Sequence, residues 1–396
     1  MWLEKEVMMK GAMSKVLIVL GIIFILGAIL WWAIAVSTMV KLPSDVDVEN
    51  RYKGEVTWYV NPTDYRPLPE GQEMKVSMEV TQRITALAEE FDSSIGLIKE
   101  TVTLGMQGFQ PKASEFVYAL DRKTMENVKD DRAYDWDPRN TVDREGSYYP
   151  FFPFDTSKDE TYSFWKSEIG EGVEAECVNE QEKEGVTVYD FKISCEDKPV
   201  VGAFVEGMGL PGETTIEEMK DSLKAMGLDV DAFAALAARV MSAEDLQALN
   251  AALGAKIPIE YLWSMEQEIS VDPKTGIPVD VYKSAETLSM RVDLSGLSQL
   301  QAVLGKYAGD PQMGPAIAQL AGLQSKMGEA SKVFSYDYAL IQDSIAANAE
   351  DAKDGTGRIN LIKVYIPWAM LIVGALLLII GLLVGGGPVP EQAEEE

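Results

Sequence analysis

The side chains that could do chemistry in this sequence are few, because the chain contains no histidine. The absence of histidine excludes Ser-His-Asp and Cys-His catalysis, and it also excludes histidine-ligated zinc. A hydrolase would have to rely on carboxylates alone or on a Ser-Lys pair. The sequence shows no nucleophile–base pattern and no phosphate-binding glycine loop, so we predict a protein that is not an enzyme and that uses no cofactor.

The two cysteines, Cys177 and Cys195, flank the segment Glu182–Gly185 (EKEG), which is typical of the turn of a β-hairpin. Cysteines on either side of one turn can come within bonding distance, and we predict that these two form a disulfide. The alternative is a pair of buried free thiols. The disulfide is favoured because we expect the domain to face an oxidising exterior.

An oxygen-rich loop containing Asp135, Asp137, Asn140 and Asp143 is the one candidate for a calcium site. Its spacing does not follow the EF-hand pattern, which needs glycine at the sixth position. We therefore favour a solvated acidic loop and predict no metal site. The net charge of -28 also argues against nucleic acid as a partner, since such a surface repels phosphate.

Two apolar segments near the ends of the chain flank the region that contains all of these residues. No charged residue lies between Lys15 and Lys41 or between Lys363 and Glu391. Each gap holds the roughly 20 residues that a helix needs to cross a hydrocarbon core. The predicted divisions are a short cytoplasmic tail at 1–15, a transmembrane helix at 16–38, a large domain at 39–363, a second transmembrane helix at 364–385 and an acidic tail at 386–396.

A cleaved signal peptide is the alternative for the first segment, but the segment exceeds the roughly 7–15 residues of a signal core, which favours an anchor. Counting positive charges places the domain in the cytosol, although that rule loses force for a long translocated domain. We predict a two-pass protein of the cell membrane with its main domain extracytoplasmic. Trp31, Trp32, Tyr365 and Trp368 would form an aromatic belt on the domain side.

Small residues recur on one stripe of each apolar segment, and such stripes allow helices to pack closely in lipid. Glycine and alanine are also common in membrane helices that pack against nothing specific. The residues predicted to pack are Gly21, Ala28, Gly374, Gly381 and Gly385.

The region between the segments alternates between strand and helix character. Apolar and polar residues alternate from Met74 to Val80, as in a half-buried strand, and Asp272–Gly276 is a turn between two longer strands. Stretches rich in alanine, leucine and methionine at 214–253 and 297–330 indicate helical insertions. The predicted fold class is α+β: two terminal transmembrane helices bracket a β-rich domain whose two insertions pack together as a cap.

The cap is the main candidate for an apolar ligand site, because methionine surfaces adapt to varied apolar partners. The alternative is that these side chains only fill a small helical core. The candidate residues are Met219, Leu223, Met226, Phe233, Met241, Met313 and Met327. The arrangement of two anchors, a β-rich body and a helical head is similar in topology to scavenger receptors, an analogy at the level of the fold.

Several segments resemble a family of two-pass envelope proteins of actinobacteria and some archaea, labelled PorA-family porins. These segments are FVYALDRKTM (Phe116–Met125), YPFFPFDT (Tyr149–Thr156), FW (Phe164 and Trp165), VDPKTGIPV (Val271–Val279) and GRINLI (Gly357–Ile362). The resemblance implies an external domain between two anchors. The family-motif residues, to which we assign structural roles, are Tyr118, Asp121, Pro153, Phe154, Asp155, Phe164 and Trp165.

These features predict a membrane-anchored binding protein that captures or conducts a lipid or another apolar ligand. A structural component of the cell envelope, which would self-associate, is the alternative. A porin-like channel ranks lower, because the membrane segments are helical and lack an ionisable lining.

Overall fold

The computed structural model describes residues 2–62, 68–69, 71–225, 227–293 and 298–385. Two long terminal helices bracket one large antiparallel β-domain that carries helical insertions, and this confirms the predicted α+β class. Met226 and the acidic tail at 386–396 lie outside the described residues.

Most helical residues fall into the two termini and the two insertions. Terminal helix 1 consists of α1 (Trp2–Leu30), a π-helical turn (Trp31–Ala35) and α2 (Val36–Met39). Terminal helix 2 consists of α9 (Gln342–Asn360), a π-helical turn (Leu361–Tyr365) and α10 (Ile366–Gly385). Helix α3 (Gly202–Met208) follows the eighth strand and precedes the first insertion. The insertions contain α4 (Lys220–Ala225), α5 (Val230–Val240), α6 (Ala243–Leu253), α7 (Ser298–Gly305) and α8 (Met313–Met327). A short 3₁₀ turn covers Ala88–Glu90.

In the described ranges, twelve strands form one sheet. The strands are β1 (Asp47–Trp58), β2 (Met74–Ala86), β3 (Ile95–Met106), β4 (Lys112–Asp121), β5 (Tyr134–Asp135), β6 (Tyr162–Lys166), β7 (Glu171–Lys183), β8 (Val186–Pro199), β9 (Glu213–Thr214), β10 (Ile257–Val271), β11 (Pro278–Val292) and β12 (Ser331–Leu340). Their order is β5-β4-β3-β2-β1-β12-β11-β10-β8-β7-β6, and β9 pairs with β10. The strands nearest each terminus, β1 and β12, are therefore neighbours at the centre of the sheet.

The sheet curls into a half-barrel, and parts of the chain between β4 and β6 bridge the gap. The backbone N–H of Asn127, which lies beside Leu120 of β4, donates to the carbonyl oxygen of Ser147 at 2.8 Å. The Tyr148 amide donates to the carbonyl oxygen of Ser163 in β6 at 2.7 Å. Residues 127 and 146–148 thus join the two edges, which protects backbone groups that an open sheet would leave unpaired.

The outer face of the sheet carries ion pairs between neighbouring strands. Lys75 lies 3.4 Å from Glu55, and Arg291 lies 2.6 Å from Glu260, with all four side chains about half exposed. Lys192 and Lys283 both pair with Glu266. This alternation of a charged outer face and an apolar inner face is typical of a sheet with water on its convex side.

The two insertions pack together as a cap with its own core. Asp229 and Ser242 cap the N-termini of α5 and α6, each accepting a hydrogen bond from a backbone amide. Asp245 in the first insertion accepts from Lys306 and Tyr307 in the second, both at 2.7 Å. We refer to α4–α8 as the cap. Helix α3, which the sequence did not predict, packs on the body through Phe204.

The terminal helices lie against each other along the predicted stripe of small residues. A side chain on Gly374 would come within 2.9 Å of the Gly21 carbonyl oxygen, and Ala28 is buried at the same interface. Gly381 faces Ile18, and Gly385 faces Ser14. The segments Met8–Met39 and Gln342–Gly385 are long and apolar enough to cross a membrane, by length and composition.

The predicted disulfide is wrong, because Cys177 and Cys195 are both free. Strands β7 and β8 do form the expected hairpin, but Cys177 lies opposite Phe191. Cys195 lies four residues beyond Phe191 along β8, a separation of about 13 Å between these two positions. Such a separation exceeds the reach of a disulfide.

Candidate ligand cavity

The concave face of the sheet encloses a cavity of about 890 Å³. Side chains from eight strands, β1–β4, β6 and β10–β12, supply much of its wall. The apolar lining includes Val56, Trp58, Met78, Val80, Ile84, Val102, Leu104, Phe116, Phe164, Trp165, Phe334 and Leu340. The cavity is therefore suited to an apolar ligand.

The cavity extends between two ends of the half-barrel. At one end, the wall is formed by 39–43, which directly follow terminal helix 1, and by Arg358, Ile359 and Ile362 of terminal helix 2. At the opposite end, the wall includes Met106, Lys112 and Met208. We call these the helix end and the cap end. The Lys112 ammonium donates to the backbone carbonyl of Gly207, so α3 is tied across the cap end.

A group of polar side chains interrupts the apolar wall around Glu100, whose carboxylate accepts three hydrogen bonds. Gln82 Nε2 donates at 2.6 Å, and the Tyr118 and Tyr149 hydroxyls each donate at 2.7 Å. The Tyr52 hydroxyl donates to Gln82 Oε1 at 2.9 Å. We call these five side chains the polar band. Burial raises the pKa of Glu100 above its ordinary value, although the three hydrogen bonds oppose the shift.

An ion cluster on the facing strands continues the polar band. Lys166 of β6 lies 2.7 Å from Glu286 of β11 and 3.3 Å from Glu168. The Tyr338 hydroxyl donates to Glu286 Oε1 at 2.8 Å, and the Tyr338 ring packs edge-on against Tyr52. Burial alone would lower the pKa of Lys166, but the two carboxylates together raise it above its ordinary value.

A fully buried ion pair supports the polar band from behind. Arg144 pairs with Asp135, and both side chains are at most 2% exposed. The Arg144 guanidinium also donates to the Val117 carbonyl at 2.7 Å and stacks on the Tyr118 ring at 4.3 Å. Asp135, a member of the acidic loop, is thus paired with Arg144. Asp137 and Asp143 pair with Arg139 and Lys129.

No group of three cysteine, aspartate or glutamate side chains is placed to hold a metal ion within the described part of the chain.

The motif residues around Asp155 connect the body to terminal helix 2. The Asp155 carboxylate pairs with Lys274 at 3.0 Å and with Lys363, and these two ammonium groups lower its pKa although burial opposes the shift. Gly276 has a positive φ of 74°, and a side chain there would collide with the backbone of Phe152. The turn at Asp272–Gly276 can therefore approach the motif closely only because it contains glycine.

The other motif residues are placed as follows. Asp121 accepts from the backbone amides of Lys123 and Thr124 and so closes a turn. Phe154, Phe164 and Trp165 line the cavity, as does Tyr118 of the polar band. Thr156 donates to the carbonyl oxygen of Pro153 at 2.6 Å.

The five predicted ligand residues of the cap whose side chains the structure describes do not line the cavity. Leu223, Phe233 and Met313 are buried in the cap's own core, and Met219 and Met241 pack against that core. The side chain of Met327 lies outside the described residues. The alternative interpretation, a small helical core, accounts for the five described side chains.

The functional candidates that sequence analysis missed are Gln82, Glu100, Lys166 and Glu286. Gln82 and Glu100 occupy inward positions of strands whose other inward residues are apolar. The available sequence signal was a polar residue among apolar residues at the alternate positions of one strand. It becomes informative only once the inward face of each strand is known.

A curled sheet with a charged outer face, an apolar cavity and two apolar terminal helices defines a membrane-associated envelope protein. A family model described as Porin PorA matches residues 13–383, so the chain belongs to the Porin PorA family. No curated protein matches the chain.

Proposed function

We propose that this protein captures a lipid or another apolar ligand in the cavity, with both terminal helices in the membrane and the body on the extracytoplasmic side. The observation that carries the proposal is that one cavity, with a largely apolar wall, reaches from the interior of the half-barrel to the helix end. The cavity volume lies within the roughly 300–1,000 Å³ of small-molecule sites. With the terminal helices in a bilayer, the helix end would open at the lipid surface.

The test is the ligand content of protein purified in mild detergent, measured by native mass spectrometry and by solvent extraction. We expect a reproducible apolar compound in the wild-type protein and a loss of most of it in Val102→Trp, which fills the cavity from β3. Thr103→Trp, on the opposite face of the same strand, is the matched control. A wild-type protein that is reproducibly empty would overturn the proposal, as would an unchanged ligand content in Val102→Trp.

The proposed orientation has its own test. Protease added to intact cells should cleave the body of the protein, whereas the same protease should fail to do so if the body is cytoplasmic. Cross-linking on intact cells addresses the alternative of a self-associating envelope component. A ligand carrier should remain mostly monomeric, and a lattice component should give a ladder of oligomers.

We do not propose a pore, despite the family's description. A membrane β-barrel needs an apolar band on its outer face. Here that face carries paired charges such as Lys75–Glu55 and Arg291–Glu260, which lipid would not solvate. We expect planar-bilayer recordings of the purified protein to show no conductance above that of detergent alone.

A further inference from the structure

The hydrogen-bond donors of the polar band are already used by the protein. The hydroxyl hydrogens of Tyr118 and Tyr149 point to Glu100, and that of Tyr52 points to Gln82. Gln82 Nε2 donates to both Glu100 and Tyr149. A carboxylate offers about four acceptor positions, so Glu100 keeps one for a ligand, and the tyrosine oxygens can also accept. What remains available to a ligand at the polar band is acceptor capacity.

The charges that face this part of the cavity also disfavour an anion. Among the described residues, one ammonium group, that of Lys166, faces this part of the cavity together with the carboxylates of Glu100, Glu168 and Glu286. Lys166 already pairs with Glu168 and Glu286. Arg144 is neutralised by Asp135 behind the wall. The other cations of the lining, Lys41, Arg358 and Lys112, lie at the two ends of the cavity.

We propose that the ligand is an amphiphile whose polar group donates hydrogen bonds to the polar band and carries no negative charge, such as a hydroxyl- or amine-bearing lipid. This inference rests on the proposed function and narrows it. The apolar chain would lie along Val56, Val80 and Val102, which share the wall with the band. The polar band itself would offer a phosphate or carboxylate head no unused donor, and the unpartnered donors of the described wall, the indole N–H groups of Trp58 and Trp165, carry no charge to neutralise it. Such a head would lie among like charges, a situation that buried sites disfavour strongly.

The experiment compares three probes of equal chain length on the delipidated full-length protein: a monoacylglycerol, an alkylamine and a fatty acid at pH 8. We expect the monoacylglycerol and the alkylamine to bind at least about tenfold more tightly than the fatty acid, a ratio that one lost hydrogen bond can produce. Equal or tighter binding of the fatty acid would overturn this inference and leave the proposed function standing. Failure of all three probes to bind would overturn both.

A substitution at Glu100 tests whether the polar band causes the preference against the fatty acid. Glu100→Gln keeps the shape of the side chain but removes its charge and adds donor hydrogens. We expect the preference against the fatty acid to fall to less than about threefold, because the amide can donate to the carboxylate head. Glu115→Gln, the same change on the outer face of β4, should keep the full preference. If Glu100→Gln does not fold, the wild-type probe series still decides the question.

Discussion

The Trp32 indole N–H donates a hydrogen bond of 2.8 Å to the backbone carbonyl of Lys363. Each of these residues lies in a π-helical turn, and the neighbouring Trp31 indole donates to the carbonyl of Ile362 at 3.0 Å. The Lys363 ammonium meanwhile pairs with Asp155 of the body. Lys363 therefore connects terminal helix 1 and the β-domain to terminal helix 2, which fixes the body relative to both helices.

Asp155→Asn should loosen this connection. The substitution removes the charge that pairs with Lys363 and Lys274 but keeps a residue type that tolerates the positive φ of 54°. Because the carboxylate is nearly half exposed, we expect a loss of only about 0.5 kcal/mol in the free energy of unfolding. The lowered pKa of Asp155 means that this contribution is present at neutral pH and is lost as the pH falls below about 4.

Thermal unfolding at pH 7 and pH 3 measures the effect, with Asp159→Asn on the adjacent exposed loop as the control. A difference between Asp155→Asn and wild type that is larger at pH 3 than at pH 7 would contradict the prediction.

Arg144→Met should destabilise the body severely. The change leaves the Asp135 carboxylate buried without its cation, which typically costs about 3–5 kcal/mol. Arg139→Met is the matched control, because Arg139 forms a similar pair with Asp137 but is 90% exposed. Chemical denaturation monitored by tryptophan fluorescence would measure both variants. Similar losses of unfolding free energy in Arg144→Met and Arg139→Met would show that burial of the Arg144–Asp135 pair does not determine the cost of breaking it.

Gly374→Leu should separate the terminal helices. Any side chain at this position meets Ile25 and the backbone of Gly21 within 3 Å, and such overpacking costs about 1–3 kcal/mol. Gly11→Leu provides the control, since a side chain there meets nothing within 4 Å. A cysteine cross-link engineered between the two helices would report their distance in detergent. Unchanged cross-linking efficiency in Gly374→Leu would count against the interface.

The cap should depend on pH through Asp245. Hydrogen bonds from Lys306, Tyr307 and Ser242 lower the pKa of Asp245 to about 2. The stability that these contacts give the cap is therefore present above about pH 4 and is lost as the pH falls towards 2. Hydrogen exchange in α6 and α7 should accelerate at pH 7 in Asp245→Asn, whereas Glu244→Gln, one residue earlier and exposed, should leave exchange unchanged. Slow exchange in both variants would refute a joining role for Asp245.

Much of the architecture was predictable because it depends on local patterns. The terminal helices follow from the length of their apolar segments, and β10, β11 and β12 follow from alternation and from the turn at Asp272–Gly276. Helix α3 escaped prediction because it has only seven residues and is stabilised by packing of Phe204 on the body. Such tertiary support overrides weak local propensity.

The disulfide shows where local patterns fail. The sequence indicated the hairpin of β7 and β8 correctly, but the turn places Lys183 opposite Val186, and this register separates the cysteines. Register depends on turn geometry and on which face is buried, and neither is visible in the spacing of two cysteines.

The sequence by itself determined that apolar helices end the chain, that a β-rich body lies between them and that two helical segments interrupt it. The periods of 3.6 and 2 residues carry this information locally. Only the tertiary structure decided that Met219, Met241 and Met313 pack in the core of the cap, and that Gln82, Glu100, Lys166 and Glu286 share one cavity. Those four residues lie on β2, β3, β6 and β11. Strands β2 and β3 are consecutive in the chain, but the strand order and curvature that bring β6 and β11 to the same cavity are set by contacts across the whole sheet.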